Sequence, residues 1–292
     1  MAQKKVLVLF GPTASGKSNT ALKISANVKA TIINADSMQV YKNLRILTSR
    51  PSEEDEKKVT HKLYGIIDGV ENFSVASWLE LAKQEIQASW NQNTLPILVG
   101  GTGMYLKSLM EGISEIPSIP DSIKLETEEI LENNGLEYLY KKLVELNKHT
   151  VINKQDKQRI IRSFNVVKFT GKSIEEWHKV NKRILGDVDY EIYLPQIERE
   201  NLYKASEERF DKMFEKGAVE EVQRLLEKNL DVNCSIMKAI GVREIQGYLN
   251  NEISEEECVN LSKKNTRNYI KRQLTWIRGN NISSNIDIKK YI

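Results

Sequence analysis

The sequence predicts an α/β protein, a P-loop NTPase-like parallel sheet core with a helical insertion domain and a helical C-terminal part. Three observations carry that expectation. The apolar run VLVLF at 6–10 leads into GPTASGKS at 11–18 and then into a segment with helical apolar spacing. Strand and helix patterns alternate from there as far as Pro117 and Pro120, which argues parallel strands joined by crossover helices. Strand signals then stop over 121–187 and return once, at YEIYLPQ.

Taken in order, VLVLF is the first strand, and the turn after it matches GxxxxGK[ST] in the strand–turn–helix context that such a turn requires. TIINA at 31–35 is a β-branched buried strand ended by Asp36 and Ser37. LYGIIDG at 63–69 is a third candidate strand. Ser74 caps a helix running to about residue 91, with Val75, Trp78, Leu79, Ala82 and Ile86 on one face. PILV at 96–99 is a fourth strand, followed by a turn at Gly100 and Gly101 and a new helix start. Between 121 and 187, four segments read as helical: LETEEILEN, LEYLYKKLVELN, QDKQRIIRSFNVVKF and SIEEWHKVNKRI. Helices are then expected over about 199–228, 236–249 and 254–278, the last opening on a Ser254/Glu257 capping box. The expected division is a core over 1–118, a helical insertion over 119–188, and a core return strand with helices over 189–292.

Bulk properties narrow the class. The 292 residues are 28% charged with a net charge of +3, too small by itself to announce nucleic acid. No apolar run approaches the roughly 18 residues of a membrane span, so a cytoplasmic protein without a membrane partner is expected. Cys234 and Cys258 stand alone, which indicates neither a disulfide framework nor a zinc site.

The turn at 11–18 is where chemistry is expected. Successive backbone N–H groups converge on an anion at a helix N-terminus. Lys17 would reach the outer phosphate, and the Ser18 hydroxyl would coordinate magnesium. Asp36, one strand away, is placed to ligate a metal, to act as a general base, or only to cap the next turn. Gly100, Gly101 and Thr102 end a strand of the same sheet and should line the same crevice. The final helix carries Lys264, Arg267, Lys271 and Arg278 along one stripe with Arg272 beside it, a pattern without balancing acids that suits a phosphodiester backbone.

Six motifs in order, GPTASGKS, DSMQVYK, GGTGMYLKSL, QRIIRSFNV with TGKS, IGVRE and KRQLTWIRG, together resemble the bacterial tRNA dimethylallyltransferase family over nearly the whole chain. The resemblance implies Mg2+-dependent transfer of a dimethylallyl group from dimethylallyl diphosphate to the exocyclic amine of the adenosine 3′-adjacent to the anticodon of tRNA. It implies that Gly11, Thr13, Ala14, Ser15, Gly16, Lys17 and Ser18 bind the diphosphate, with Ser18 on the metal. Asp36 becomes the base, while Thr102 and Arg243 steady the leaving group. Contacts to the tRNA anticodon stem-loop are implied for Asp36, Ser37, Met38 and Gln39, for Gln158, Arg159 and Arg162, for Lys238 and Arg243, and for Lys271, Arg272, Gln273, Trp276 and Arg278. A monomer is expected.

The chain departs from the family pattern after Tyr41. GMDIGTAKP is usual there, and NLRILTSRP stands in its place, losing two glycines and an acid. Three other readings share parts of the pattern. An adenylate isopentenyltransferase would need neither the insertion nor the basic last helix. A small-molecule kinase would need an arginine-bearing lid, and a non-enzymatic RNA-binding P-loop protein would have no use for Asp36.

Overall fold

The computed structural model describes residues 4–292, which form two units, one running to Met110 and resuming over Leu185–Ile292, the other Glu111–Ile184. In chain order the elements are β1 (Lys5–Phe10), α1 (Lys17–Asn27), β2 (Ala30–Asn34), α2 (Glu53–Lys58), β3 (Thr60–Lys62), α3 (Val75–Asn91), β4 (Leu95–Gly100) and α4 (Gly103–Glu111). There follow α5 (Asp121–Leu146), α6 (Lys157–Thr170), α7 (Ile174–Trp177), β5 (Asp189–Tyr193), α8 (Arg199–Glu215), α9 (Ala218–Leu226), α10 (Val242–Leu249) and α11 (Glu255–Gly279). Two short 3-10 turns lie at Ser235–Lys238 and Ile288–Tyr291.

The first unit is built on a five-stranded sheet in the order β3-β2-β4-β1-β5, with all pairings parallel. Its three central strands, β2, β4 and β1, read as near-continuous apolar runs, as strands of a parallel sheet covered on both faces do. Val6, Leu7, Val8 and Leu9 of β1 are all buried, with Leu7 opposite Ile97 and Leu9 opposite Val99. Each such side chain contributes about 1.5–3 kcal/mol relative to exposure, so the ridge of β1 and β4 fixes where the turn after β1 emerges. Trp78 of α3 is fully buried and stacks on Tyr105 with centroids 4.3 Å apart, while its Nε1 donates to the Asn34 carbonyl at 2.8 Å.

Four expectations change, one being the helix expected over 236–249, which is α-helical only from Val242, after Gly241 at φ +99°. The strand expected at 63–69 forms earlier, as β3, because Leu63 takes a left-handed φ of +64° and Gly65 one of +57°, which end extended pairing; only a bridge from Tyr41 to Ile67 remains. The helix expected over 199–228 breaks at Gly217, which adopts φ +97° between α8 and α9. The segment SIEEWHKVNKRI is helical for one turn only, α7, despite a full capping box from Ser173 and Glu176.

At the far end of the sheet, the Glu191 carboxylate of β5 accepts from Lys5 at 2.7 Å, from Lys290 at 2.8 Å and from the Tyr291 hydroxyl. Burial alone would raise this carboxyl, but those donors outweigh it and hold the pKa down at about 2. The last residues are thereby fastened to the sheet, with Ile286, Ile288 and Tyr291 packed on its core.

The second unit is an antiparallel helix pair. α5 is interrupted at Gly135, where φ is +80° and ψ 175°, and packs on α6 through Leu139, Leu143, Ile160 and Phe164. The Thr127 hydroxyl donates to Asn165 Oδ1 inside it. Among the described residues no helix is long and apolar enough to cross a membrane.

Candidate active site

The turn from Gly11 to Ser18 begins where β1 stops and closes on itself. Ala14 and Gly16 take φ +62° and +77°, and the second costs little because glycine has no Cβ to strain. The Ser15 hydroxyl donates to the Pro12 carbonyl at 2.7 Å. The Lys17 ammonium reaches back over the same turn, donating to the Pro12 carbonyl at 2.6 Å and to Ser15 Oγ at 3.2 Å. Burial pushes the Lys17 pKa down to about 7, against the pull of the Asp36 carboxylate and with a push from the Arg209 guanidinium.

Two side chains from distant elements hold this turn. Gln273 of α11, 7% exposed, accepts from the Thr13 N–H at 2.9 Å and donates to the Gly101 carbonyl at 3.1 Å, so one amide ties the turn after β1 to the turn after β4. Arg209 of α8 donates to the Thr13 hydroxyl at 2.5 Å, and its buried Nε has no partner among the described residues. A guanidinium with an unmet donor next to a phosphate-type turn is a ready anion ligand.

Asp36 is set by Asn34, the last residue of β2, which is fully buried. Asn34 Oδ1 accepts from the Asp36 N–H at 2.8 Å, and its Nδ2 donates to the carbonyls of Asp36 at 2.9 Å and Leu63 at 3.0 Å. Asp36 Oδ1 accepts from the Met38 N–H at 2.9 Å, which fixes the carboxylate plane. Oδ2 accepts no hydrogen bond from the described residues. Thr102 accepts from the Ser37 N–H at 3.0 Å, tying the end of β4 to that of β2. A cleft of about 220 Å³ opens here, and Thr13, Asp36, Ser37, Met38, Arg209 and Lys238 all line it.

The structure therefore gathers Thr13, Lys17, Asp36, Ser37 and Met38, as the sequence reading expects, and moves others elsewhere. Gln39 turns away to donate to the Thr48 and Ser49 carbonyls. Arg243, expected beside the leaving group, is exposed on α10, because its neighbours Val242 and Ile245 are the buried face of that helix. Arg209 lines the cleft. Gln273, expected on tRNA, is an internal strut. Trp276, also expected there, packs its ring edge-on to Phe10 at 5.7 Å and lies over Gly103, where a Cβ would sit 2.5 Å from the indole. The basic stripe is not free of acids either. Arg267 pairs with Glu207, and Lys263 pairs with Asp211 at 2.6 Å, because α8 packs alongside α11. Lys264, Lys271, Arg272 and Arg278 are exposed, as is Lys238. Gln158, Arg159 and Arg162 are exposed on α6 of the second unit. Asn34 and Arg209 carried no motif signal. Only a buried polar residue ending an apolar strand, and an arginine amid the apolar spacing of RFDKMF, hinted at them.

A magnesium ion would find few protein donors at this site. The exposed Ser18 hydroxyl at the start of α1 is a single hard oxygen donor, and the described residues hold no group of three or more His, Cys, Asp or Glu side chains placed for a metal. The donor set suits an ion that arrives on a diphosphate and keeps several waters.

A model of the IPP transferase family matches residues 39–280. A tRNA dimethylallyltransferase of Allorhizobium ampelinum is 41% identical over 278 residues, covering 93% of this chain and 90% of that one. Its counterpart from Pelagibacter ubique is 39% identical over 278 residues, covering 94% and 89%. Among solved structures, a eukaryotic dimethylallyltransferase acting on tRNA superposes with a TM-score of 0.81 at 27% identity, covering 94% of this chain and 70% of that one. The tRNA isopentenylpyrophosphate transferase of Bacillus halodurans does so with a TM-score of 0.65 at 30% identity, covering 94% and 87%.

Proposed function

The chain belongs to the IPP transferase family, and from that premise we propose that it is a prenyltransferase that moves a dimethylallyl group from dimethylallyl diphosphate to the exocyclic amine of the adenosine 3′-adjacent to the anticodon in tRNA. The observation that carries the mechanism is a carboxylate, Asp36, locked by Asn34 and the Met38 N–H into the cleft that Thr13 and Arg209 also line.

The diphosphate occupies the turn from Gly11 to Ser18, where backbone N–H groups, Lys17 and Arg209 neutralise it. Charge builds on this group as the allylic carbon–oxygen bond breaks, so donors already fixed in place favour the transition state over the ground state. The amine nitrogen forms the new bond to carbon, the diphosphate takes the electron pair of the old one, and the proton lost from nitrogen passes to Asp36 Oδ2. Thr102 keeps Ser37, and through it the turn bearing Asp36, against β4. Ser18 would hold a magnesium ion arriving with the diphosphate, and that ion would supply further charge neutralisation for the leaving group. Lys238, Lys271, Arg272 and Arg278, with Gln158, Arg159 and Arg162, contact the anticodon stem-loop. The enzyme works as a cytoplasmic monomer.

The test is nucleoside mass spectrometry of tRNA incubated with the protein, Mg2+ and dimethylallyl diphosphate. A gain of one prenyl mass on adenosine in tRNA, and none on free AMP, is the expected result. Consumption of ATP without any prenyl donor would replace this reading with a kinase.

A further inference from the structure

The cleft has two kinds of wall. Thr13, Asp36, Ser37 and Arg209 supply its polar side, while Leu47, Phe210, Met213 and Ile240 supply an apolar one. The apolar wall is fastened more firmly than a turn of this size requires. Leu47 belongs to the turn between Leu44 and Arg50, where Glu221 of α9, 6% exposed, accepts from three successive backbone N–H groups. These are Arg45 at 2.6 Å, Ile46 at 2.9 Å and Leu47 at 2.9 Å. From the other side, Gln39 Nε2 donates to the carbonyls of Thr48 at 2.7 Å and Ser49 at 3.0 Å. Gly241 faces the Leu47 side chain with φ +99°, and a Cβ there would stand 2.7 Å from Leu47 Cδ1. The side chain packs against Gly241 at the edge of the cleft and is 7% exposed.

We propose that Leu47 is a specificity-determining residue that limits the length of the prenyl group the cleft accepts, and that Glu221 is the positioning residue that fixes it there. This rests on the prenyl-transfer reading above. An extruded base is recognised by hydrogen bonds to its edge and by stacking, which the rings of Phe210 and Tyr269 in this cleft can supply, whereas Leu47, Met213 and Ile240 present only saturated carbon and sulfur. Such a wall suits the hydrocarbon end of the donor. A donor one isoprene unit longer must displace Leu47, and Leu47 moves only if the turn lets go of a buried carboxylate. A packed, pinned wall yields poorly to added methylenes.

The experiment measures single-turnover transfer to tRNA from dimethylallyl diphosphate and from geranyl diphosphate. The variants are Leu47→Gly, which restores the residue the family pattern has at this position, Leu47→Val and Glu221→Gln. Wild type should prefer the five-carbon donor, and Leu47→Gly should narrow that preference by about tenfold or more, with Leu47→Val intermediate. Glu221→Gln sets an amide donor against the Leu47 N–H and should narrow the preference as well, a change in donor ratio that a merely structural role would not produce. Leu47→Val removes a single methylene and reads out even where the glycine variant fails to fold. An unchanged ratio in the Leu47 variants, or a wild type that uses both donors equally, overturns the length limit while leaving the function standing. Absence of any transfer by wild type overturns the function and this inference with it.

Discussion

The turn after β1 and the helix α11 both carry cations, and they hold them in opposite ways. Lys17 is half-buried, donates to Pro12 and Ser15 within its own turn, and has a pKa lowered to about 7 by desolvation. The cations of α11 sit on a helix that packs against α8, so they divide by face. Lys263 and Arg267 are paired with Asp211 and Glu207, whereas Lys264, Lys271 and Arg278 are exposed. The desolvated site gains strength for each interaction it makes, at the cost of tolerating few changes. The exposed face gains little per charge and works by number. Substitutions in the first region should therefore act on the donor and the chemical step, and those in the second on tRNA affinity and its salt dependence.

The sharpest test of that division is Asp36→Asn, which should lower the single-turnover transfer rate by at least about a hundredfold, within the range typical of a lost general base. Asparagine keeps the acceptor for the Met38 N–H but cannot take a proton. Donor binding should persist, and tRNA should bind to within about tenfold. A loss seen mainly as weakened magnesium–diphosphate affinity makes Asp36 a metal ligand, and an unaltered rate makes it a turn cap.

Next in size are Lys17→Ala and Arg209→Ala. Each removes a charge-assisted donor, and each should weaken diphosphate binding by about 1.5–3 kcal/mol. Arg243→Ala, on the exposed face of α10, should leave calorimetric donor affinity near wild type. Equal losses for Arg209 and Arg243 would mean that the two arginines meet at the donor in solution and that the division by burial is wrong.

A smaller effect is expected from neutralising Lys264, Lys271 and Arg278 together. The log–log slope of tRNA affinity against salt should flatten by about 0.7 to 0.9 for each phosphate that is no longer neutralised. Arg267→Gln, already paired with Glu207, should change the slope least. Binding curves that coincide with wild type at every salt concentration would make the exposed face merely solvated.

How much of this was legible beforehand follows the same division. The turn from Gly11 to Ser18 could be read because its function is local: the residues that make the turn are contiguous, and so are the flanking strand and helix. Asp36 was legible as a position but open as to role, since the carboxylate that lines the cleft also accepts from the Met38 N–H, as a turn cap does. Gln273 and Trp276 were expected on tRNA because they fall within the motif KRQLTWIRG that carries the resemblance, and a motif does not say which way each side chain faces. α11 buries Thr266, Ile270, Gln273 and Ile277 on the side that meets the sheet and its turns. Arg209 and Glu221 lie 196 and about 175 residues from what they bind, and nothing in their own surroundings reports such partners. Periodicity located the helices but not their breaks, which depend on single residues in left-handed conformation such as Gly217.

The smallest predicted effect comes from Lys17 itself and probes whether its burial matters to binding. With its pKa lowered to about 7, the amine is about half protonated at neutral pH in the free protein and mostly neutral at pH 8. A diphosphate favours the ammonium, so the pKa rises on binding and a proton must be taken up. The sign follows: affinity is greatest below pH 7 and falls as pH rises through 7 towards the higher pKa of the complex. Between pH 7 and pH 8 the protonated fraction drops from about one half to about one tenth, which weakens binding about fivefold if the bound lysine stays charged. Calorimetry of inorganic diphosphate in two buffers of different ionisation enthalpy measures the uptake directly. Wild type should take up close to one proton more at pH 8 than Lys17→Ala does, since subtracting the variant removes the ligand's own titration. Equal uptake by the two proteins would mean that Lys17 is charged before the ligand arrives, and that the buried region and the exposed one present their cations to phosphate in the same state.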